Sequence, residues 1–246
     1  MAYGDTTVAL FAGCPRSGKS TLARKLFEAD IVSNGRPGLI LDMERVDTFE
    51  DVPHADSAET VLRELYVHRR SVAYTPGSVE EAERAIAGVF GGKGVNVLID
   101  EPRSLCNARY LSPALNRAAR LHRHAGLVIR LVTQRLGDLH QDVLGVCETI
   151  YLFRLIAPAD LDRAYREWGL DRERVGGIAQ YEYVTHETGF PADAAETEVP
   201  VQPSGAIPPP PPAPGGAGTG EERGGAVPVG VLPGTDSGGG SGTPTK

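Results

Sequence analysis

Residues 13–20 read Gly-Cys-Pro-Arg-Ser-Gly-Lys-Ser, and this octet constrains the fold more than any other part of the chain. It fits the pattern G-x-x-x-x-G-K-[ST], set between the apolar run Thr7–Ala12 and the helix-compatible segment Thr21–Glu28. Glycines let the backbone turn tightly and aim successive N–H groups at one anion. A helix beginning near Lys19 adds the positive end of its dipole. An ordinary glycine turn before a helix is the bland alternative, and the full motif in this context leaves it little room.

The rest of the chain supplies a sheet for that loop. Short apolar runs recur at Thr7–Ala12, Gly38–Leu41, Ser71–Tyr74, Val95–Ile99, Leu127–Thr133 and Ile150–Leu155. Each is nearly continuous rather than alternating, which suits strands covered on both faces. Helix-like segments lie between them, at Lys19–Glu28, Ser57–His68, Val79–Phe90, Leu111–His124, Asp138–Val146 and Pro158–Trp168. Such alternation predicts an α/β fold, with a mainly parallel central sheet and helices on both faces. A last run, Gln180–Thr188, alternates tyrosines with polar residues and is expected at a sheet edge.

On this scaffold the octet reads as a nucleotide cradle. Gly13, Cys14, Pro15, Arg16, Ser17, Gly18, Lys19, Ser20 and Thr21 are expected to hold ATP. Lys19 would reach the β- and γ-phosphates and the Ser20 hydroxyl would ligate Mg²⁺. The run Val95–Ile99 ends in Asp100-Glu101, delivered to the carboxyl edge of the sheet where ligands bind. Asp100 is expected to hold the Mg²⁺ shell and Glu101 to polarise the attacking water. Thr133 and Gln134 end the next apolar run, and Gln134 is expected to sense the γ-phosphate. That run should lie beside both the loop strand and the Asp100 strand. Asp42 ends another run and could touch the site, although a plain strand terminus explains it at least as well.

Between Glu101 and Asp138 no acid occurs, while Arg103, Arg109, Arg117, Arg120, Arg123, Arg130 and Arg135 do. A solvated helix face explains any single one of them. The cluster as a whole suggests either an arginine finger offered to a neighbouring subunit or a patch that grips a phosphate backbone. Arg120 and Arg123 are the finger candidates.

Composition divides the chain. From Pro191 onward there is no Phe, Tyr or Trp, and the segment carries Pro208–Pro212 and Gly238–Gly240. It cannot bury enough apolar surface to offset the entropy of ordering it. Residues 191–246 are therefore expected to be a disordered Pro/Gly-rich tail, a tether or a dock for an unidentified protein, after a 1–190 ATPase domain. The net charge of −7 argues against indiscriminate coating of nucleic acid, although much of the acidic excess falls in the tail. Cys14, Cys106 and Cys147 are odd in number and widely spaced, which suggests a reducing compartment. With no secretory leader pattern and no apolar run long enough to span a bilayer, a cytoplasmic location is expected.

Taken together, Gly13–Thr21, Val95–Glu101 and the stretch from Arg120 through Ala125-Gly126 to Thr133-Gln134-Arg135 resemble the FtsK–HerA superfamily of DNA-pumping ATPases. Pro158-Ala-Asp160 after the Ile150–Leu155 run adds to the likeness, which spans about 5–170. The small size is similar to genome-packaging ATPases of membrane-containing, double-jelly-roll phages. The resemblance implies a RecA-like P-loop NTPase fold and a homo-oligomeric ring, commonly a hexamer. That ring would thread double-stranded DNA through a basic pore. The loop sequence and the tail depart from the family pattern. A P-loop small-molecule or nucleotide kinase, or an ATP-dependent switch or scaffold acting through its proline-rich tail, are the alternatives. A GTPase is disfavoured because no N-K-x-D segment occurs, and a transporter ATPase because L-S-G-G-Q is missing.

Overall fold

The computed structural model describes residues 7–44 and 51–188; the expected tail, 191–246, lies outside them. One sheet organises these residues. In chain order its strands are β1 (Val8–Ala12), β2 (Gly38–Asp42), β3 (His54–Ala55), β4 (Val72–Tyr74) and β5 (Asn96–Asp100). A two-stranded ribbon follows, β6 (Cys106–Asn107) and β7 (Tyr110–Leu111), and then the sheet resumes with β8 (Val128–Thr133), β9 (Thr149–Leu152) and β10 (Val184–Glu187). The spatial order of the eight sheet strands is β10-β9-β1-β8-β5-β2-β4-β3. All neighbours are parallel except β10, which returns antiparallel at the edge beside β9.

The apolar runs form strands because both of their faces are covered. Every residue of β1, β2, β5 and β8 is buried. Side chains alternate between faces. Val8, Leu10 and Ala12 face the larger core, and Ala9 and Phe11 meet Leu22, Ala23 and Phe27 of helix α1 (Lys19–Asn34) on the other side. The larger core is roofed by α2 (Ala58–Tyr66), α3 (Val79–Gly92) and α4 (Pro113–Arg120). Serines start these helices: Ser57, Ser78 and Ser112 accept the main-chain N–H of Thr60, Glu81 and Leu115.

Two expected helices are shorter than their apolar spacing suggests. Leu111–His124 becomes α4 and a single turn, α5 (His122–Ala125), because Ser112-Pro113 sets the start and the helix is interrupted at Leu121. Asp138–Val146 contracts to a 3-10 turn and α6 (Gln141–Leu144). The expected helix Pro158–Trp168, α7, forms over that same range and is followed by α8 (Arg172–Gly176).

The crossover from β1 through α1 to β2 passes over two positions, later filled by β5 and β8. The chain thus departs from β1 in one direction and places β9 on the other, which opens a crevice at the carboxyl ends of the strands.

Candidate functional site

The 13–20 loop hangs from the tips of the two strands that flank β1. Gly13 donates its N–H to Thr133 O at 3.2 Å, and Cys14 donates to Arg154 O at 2.9 Å. A Cβ on Gly13 would lie 2.5 Å from Cβ of Phe153, so only glycine fits where the loop leaves β1. Arg16 and Gly18 take left-handed backbones, with φ of 60° and 96°, and these bend the loop back into α1. Lys19 opens that helix and is 6% exposed. Ser17 is buried and its Oγ has no hydrogen-bond partner among the described residues, so a polar atom is left inside the concave loop.

Two strands away, β5 presents its acids. Glu101 follows the strand with φ 50° and ψ 68°, a left-handed conformation that costs a non-glycine residue about 1–2 kcal/mol. The intervening strand over-determines it. Glu101 donates its N–H to Val132 O at 2.9 Å, and its Oε2 accepts the Gln134 N–H at 3.3 Å and the Thr133 hydroxyl at 3.5 Å. The other carboxylate oxygen, Oε1, is buried without a partner among the described residues. Burial raises the Glu101 pKa above the ordinary carboxylate value, opposed by the Gln134 N–H and by the charge of Lys19.

Asp100 is pushed up to about 6, first by burial and then by Glu101, with Lys19 opposing and Asp42 and Glu44 adding to the rise. Asp42 pairs with Asp100 across the β2–β5 ladder and is 4% exposed. The β2–β5 register sets this second carboxylate beside Asp100, a placement the sequence left open, and its Oδ1 accepts the Glu44 N–H at 3.1 Å. Among the described residues no three such side chains stand close enough to hold a metal by themselves, so a divalent cation here would need phosphate oxygens to complete its shell.

Lys19, Asp100, Glu101 and Gln134 thus meet at one edge, and β8 lies between β1 and β5 as expected. Beyond Glu101 a cleft of about 630 Å³ opens, lined by Met43, Glu44, Arg103, Asn107, Arg109 and Asp138. The β6–β7 ribbon, which no periodicity in the sequence announced, forms part of its wall.

The arginines do not form one patch. Arg103 and Arg109 line the cleft, and Arg117 lies over the Phe90 ring. Arg120 pairs with Asp142, and Arg123 with Glu148. Arg130 is buried against Asp30 of α1, and Arg135 binds the buried Asp160. Arg120 and Arg123 precede β8, so the structure sets them at the amino edge of the sheet. A six-residue strand, about 16 Å long, separates that edge from Thr133. Within one subunit they are not brought to the loop.

This arrangement was compared with known proteins. No protein-family profile and no curated protein matches the chain. Solved structures do. The genome packaging NTPase B204 of Sulfolobus turreted icosahedral virus 2, in complex with ATP-gammaS, matches with a TM-score of 0.64 and 22% identity over 76% of this chain and 94% of that one. The chain has the fold of a viral packaging NTPase. B204 described as the DNA-packaging ATPase of Sulfolobus turreted icosahedral virus gives 0.63 at 20% identity, over 74% and 92% of the two chains. The pCW3 conjugation coupling protein TcpA gives 0.50 at 13% identity, over 75% of this chain and 58% of its own. At such identities the shared property is the packaging-NTPase fold, the RecA-like P-loop architecture that the FtsK–HerA resemblance implies.

Proposed function

We propose that this protein is an ATP-hydrolysing motor of the FtsK–HerA type that moves double-stranded DNA. The observation that carries the reading is the parallel order β1-β8-β5, which sets Lys19, at the start of the helix after the loop, at the same strand edge as Asp100 and Glu101. A kinase would need an acceptor pocket, for which the cleft beyond Glu101 has room, and transfer of phosphate to a small molecule rather than to water is the outcome that would favour it. The fold shared with B204 supports the packaging reading over the scaffold alternative.

In this reading the N–H groups of Gly13–Thr21 hold the triphosphate, and Lys19 sits against its β- and γ-phosphates. Ser20 and Asp100 would hold Mg²⁺, which would supply charge neutralisation at the phosphates. Glu101, fixed by β8, takes the proton of the attacking water. Gln134, whose N–H fixes that carboxylate, reports on the phosphate through the same contact. Arg120 and Arg123 are proposed as a neighbour's contribution, in trans, within a homo-oligomeric ring. The protein works in the cytoplasm, and the tail tethers the motor to another protein.

The test is ATP turnover with and without long linear duplex DNA at two salt concentrations. Stimulation that fades at high salt is expected for backbone contacts. Turnover indifferent to DNA at both salts overturns the motor and leaves an ATPase of another kind.

A further inference from the structure

We propose that the turn Ala179–Glu182 is the nucleobase platform of this site, with the Tyr181 ring stacking on the base of the bound nucleotide. The inference rests on the nucleotide-binding reading above and extends it to the part of the ligand that the loop does not hold.

Sheet order gives the direction. The terminal phosphate must face Glu101, which stands on the β8–β5 side of the loop. The nucleoside then points the opposite way, past β1 towards β9 and β10. The segment leading into β10 lies there; it touches the loop at one point and packs on a residue beneath the loop at another. Gln180 donates its side-chain Nε2 to Arg16 O at 3.5 Å. Tyr183 packs on Phe153 with ring centroids 5.4 Å apart, and Phe153 is the residue that forbids a side chain at Gly13.

Backbone geometry singles out Tyr181. Glu182 donates its N–H to Ala179 O at 3.1 Å, which closes a four-residue turn with Tyr181 in the third position. Its φ is 68°, a value that such a turn ordinarily reserves for glycine or asparagine. A half-buried aromatic residue held there strains the chain without need if its only task is to turn. The Gln180 contact with Arg16 sets this turn beside the phosphate cradle, on the side where the nucleoside emerges, and a flat ring is the side chain that binds a base by stacking. It gives the site a preference for nucleotides over inorganic polyphosphate.

Calorimetry on the full chain with Mg²⁺ tests this, using ADP and inorganic tripolyphosphate as probes. Tyr181→Gly, which removes the ring and relaxes the turn, is expected to weaken ADP about tenfold and tripolyphosphate less than about twofold. Tyr181→Phe keeps the ring and is expected to hold ADP within about threefold. Equal losses for both probes in Tyr181→Gly, or ADP binding that it leaves unchanged, overturn the platform. Wild-type binding of tripolyphosphate without ADP overturns the platform alone. Wild-type binding of neither overturns the nucleotide-binding reading and the platform with it.

Discussion

Gln134 donates its main-chain N–H to Oε2 of Glu101 at 3.3 Å, so the tip of β8 holds the carboxylate that ends β5. The same strand takes the Glu101 N–H through Val132 O, and these bonds keep a left-handed backbone in place. One carboxylate oxygen is committed to the protein and the other, Oε1, has no partner among the described residues. The residue is thus positioned by one oxygen and left reactive at the other.

Glu101→Gln separates those two functions. The amide oxygen still accepts the Gln134 N–H, while the base is lost. Nucleotide affinity is expected to stay within about threefold and ATP turnover to fall about 10²–10⁴-fold. Calorimetry and phosphate release on the same preparation measure both, and wild-type turnover in this variant removes Glu101 from its role.

Asp100 makes the site a local source of instability. Its folded pKa is raised from 3.8 to about 6, so between those values the folded chain keeps a proton that the unfolded chain has released. Stability is therefore lost as pH rises through that window, and the loss is complete above about pH 6. The shift corresponds to on the order of 2–3 kcal/mol. Asp100→Asn is expected to stabilise the ligand-free chain by about 1–3 kcal/mol at neutral pH, and by much less near pH 4. Urea midpoints at the two pH values decide it; a variant less stable than wild type at neutral pH would show that Asp100 is satisfied there.

The loop and the strands were legible in the sequence because both are local patterns: a fixed spacing of glycines, and apolar runs unbroken on either face. That placed Lys19, Asp100 and Glu101 at one edge and β8 between them. Non-local facts were not legible. Asp42 joins the acids only through the β2–β5 register. The acid-free arginine stretch looked like one surface, yet it winds through a ribbon, a helix and a strand and scatters its charges among Asp142, Glu148, Asp30 and Asp160. Tyr181 gave no turn signal, because turn signals come from glycine and asparagine, and here a tyrosine occupies such a position.

The arginine finger has a complementation test. Arg120→Ala keeps its own loop, and Lys19→Ala keeps its own Arg120. Each protein alone is expected to lose activity, the first by about 10³–10⁵-fold if the guanidinium acts on a neighbour's phosphates. A mixture should recover turnover at interfaces that join an intact loop to an intact arginine. Full activity of Arg120→Ala alone would leave Arg120 as a surface partner of Asp142 and nothing more.

Arg130 carries the most severe stability prediction. It stands in the middle of β8, 5% exposed, on the face that α1 covers, and its Nη2 pairs with Asp30 of that helix. Its Nε and Nη1 have no hydrogen-bond partner among the described residues, and Asp30 supplies its ion-pair compensation there. Removing one member of a buried pair typically costs about 3–5 kcal/mol, because the other charge stays desolvated. The Asp30 side chain is 28% exposed, which admits water and lowers the expected cost of Asp30→Ala to about 2–3 kcal/mol. Replacing both, Asp30→Leu with Arg130→Met, substitutes apolar contact for the pair and is expected to return stability to within about 1 kcal/mol of wild type. The pair joins the strand that ends in Thr133 to the helix that starts at Lys19. ATP turnover of the double variant then separates two roles. A chain as stable as wild type but slow in hydrolysis would mean that the pair sets the register of β8 against the loop, whereas full activity would confine it to stability.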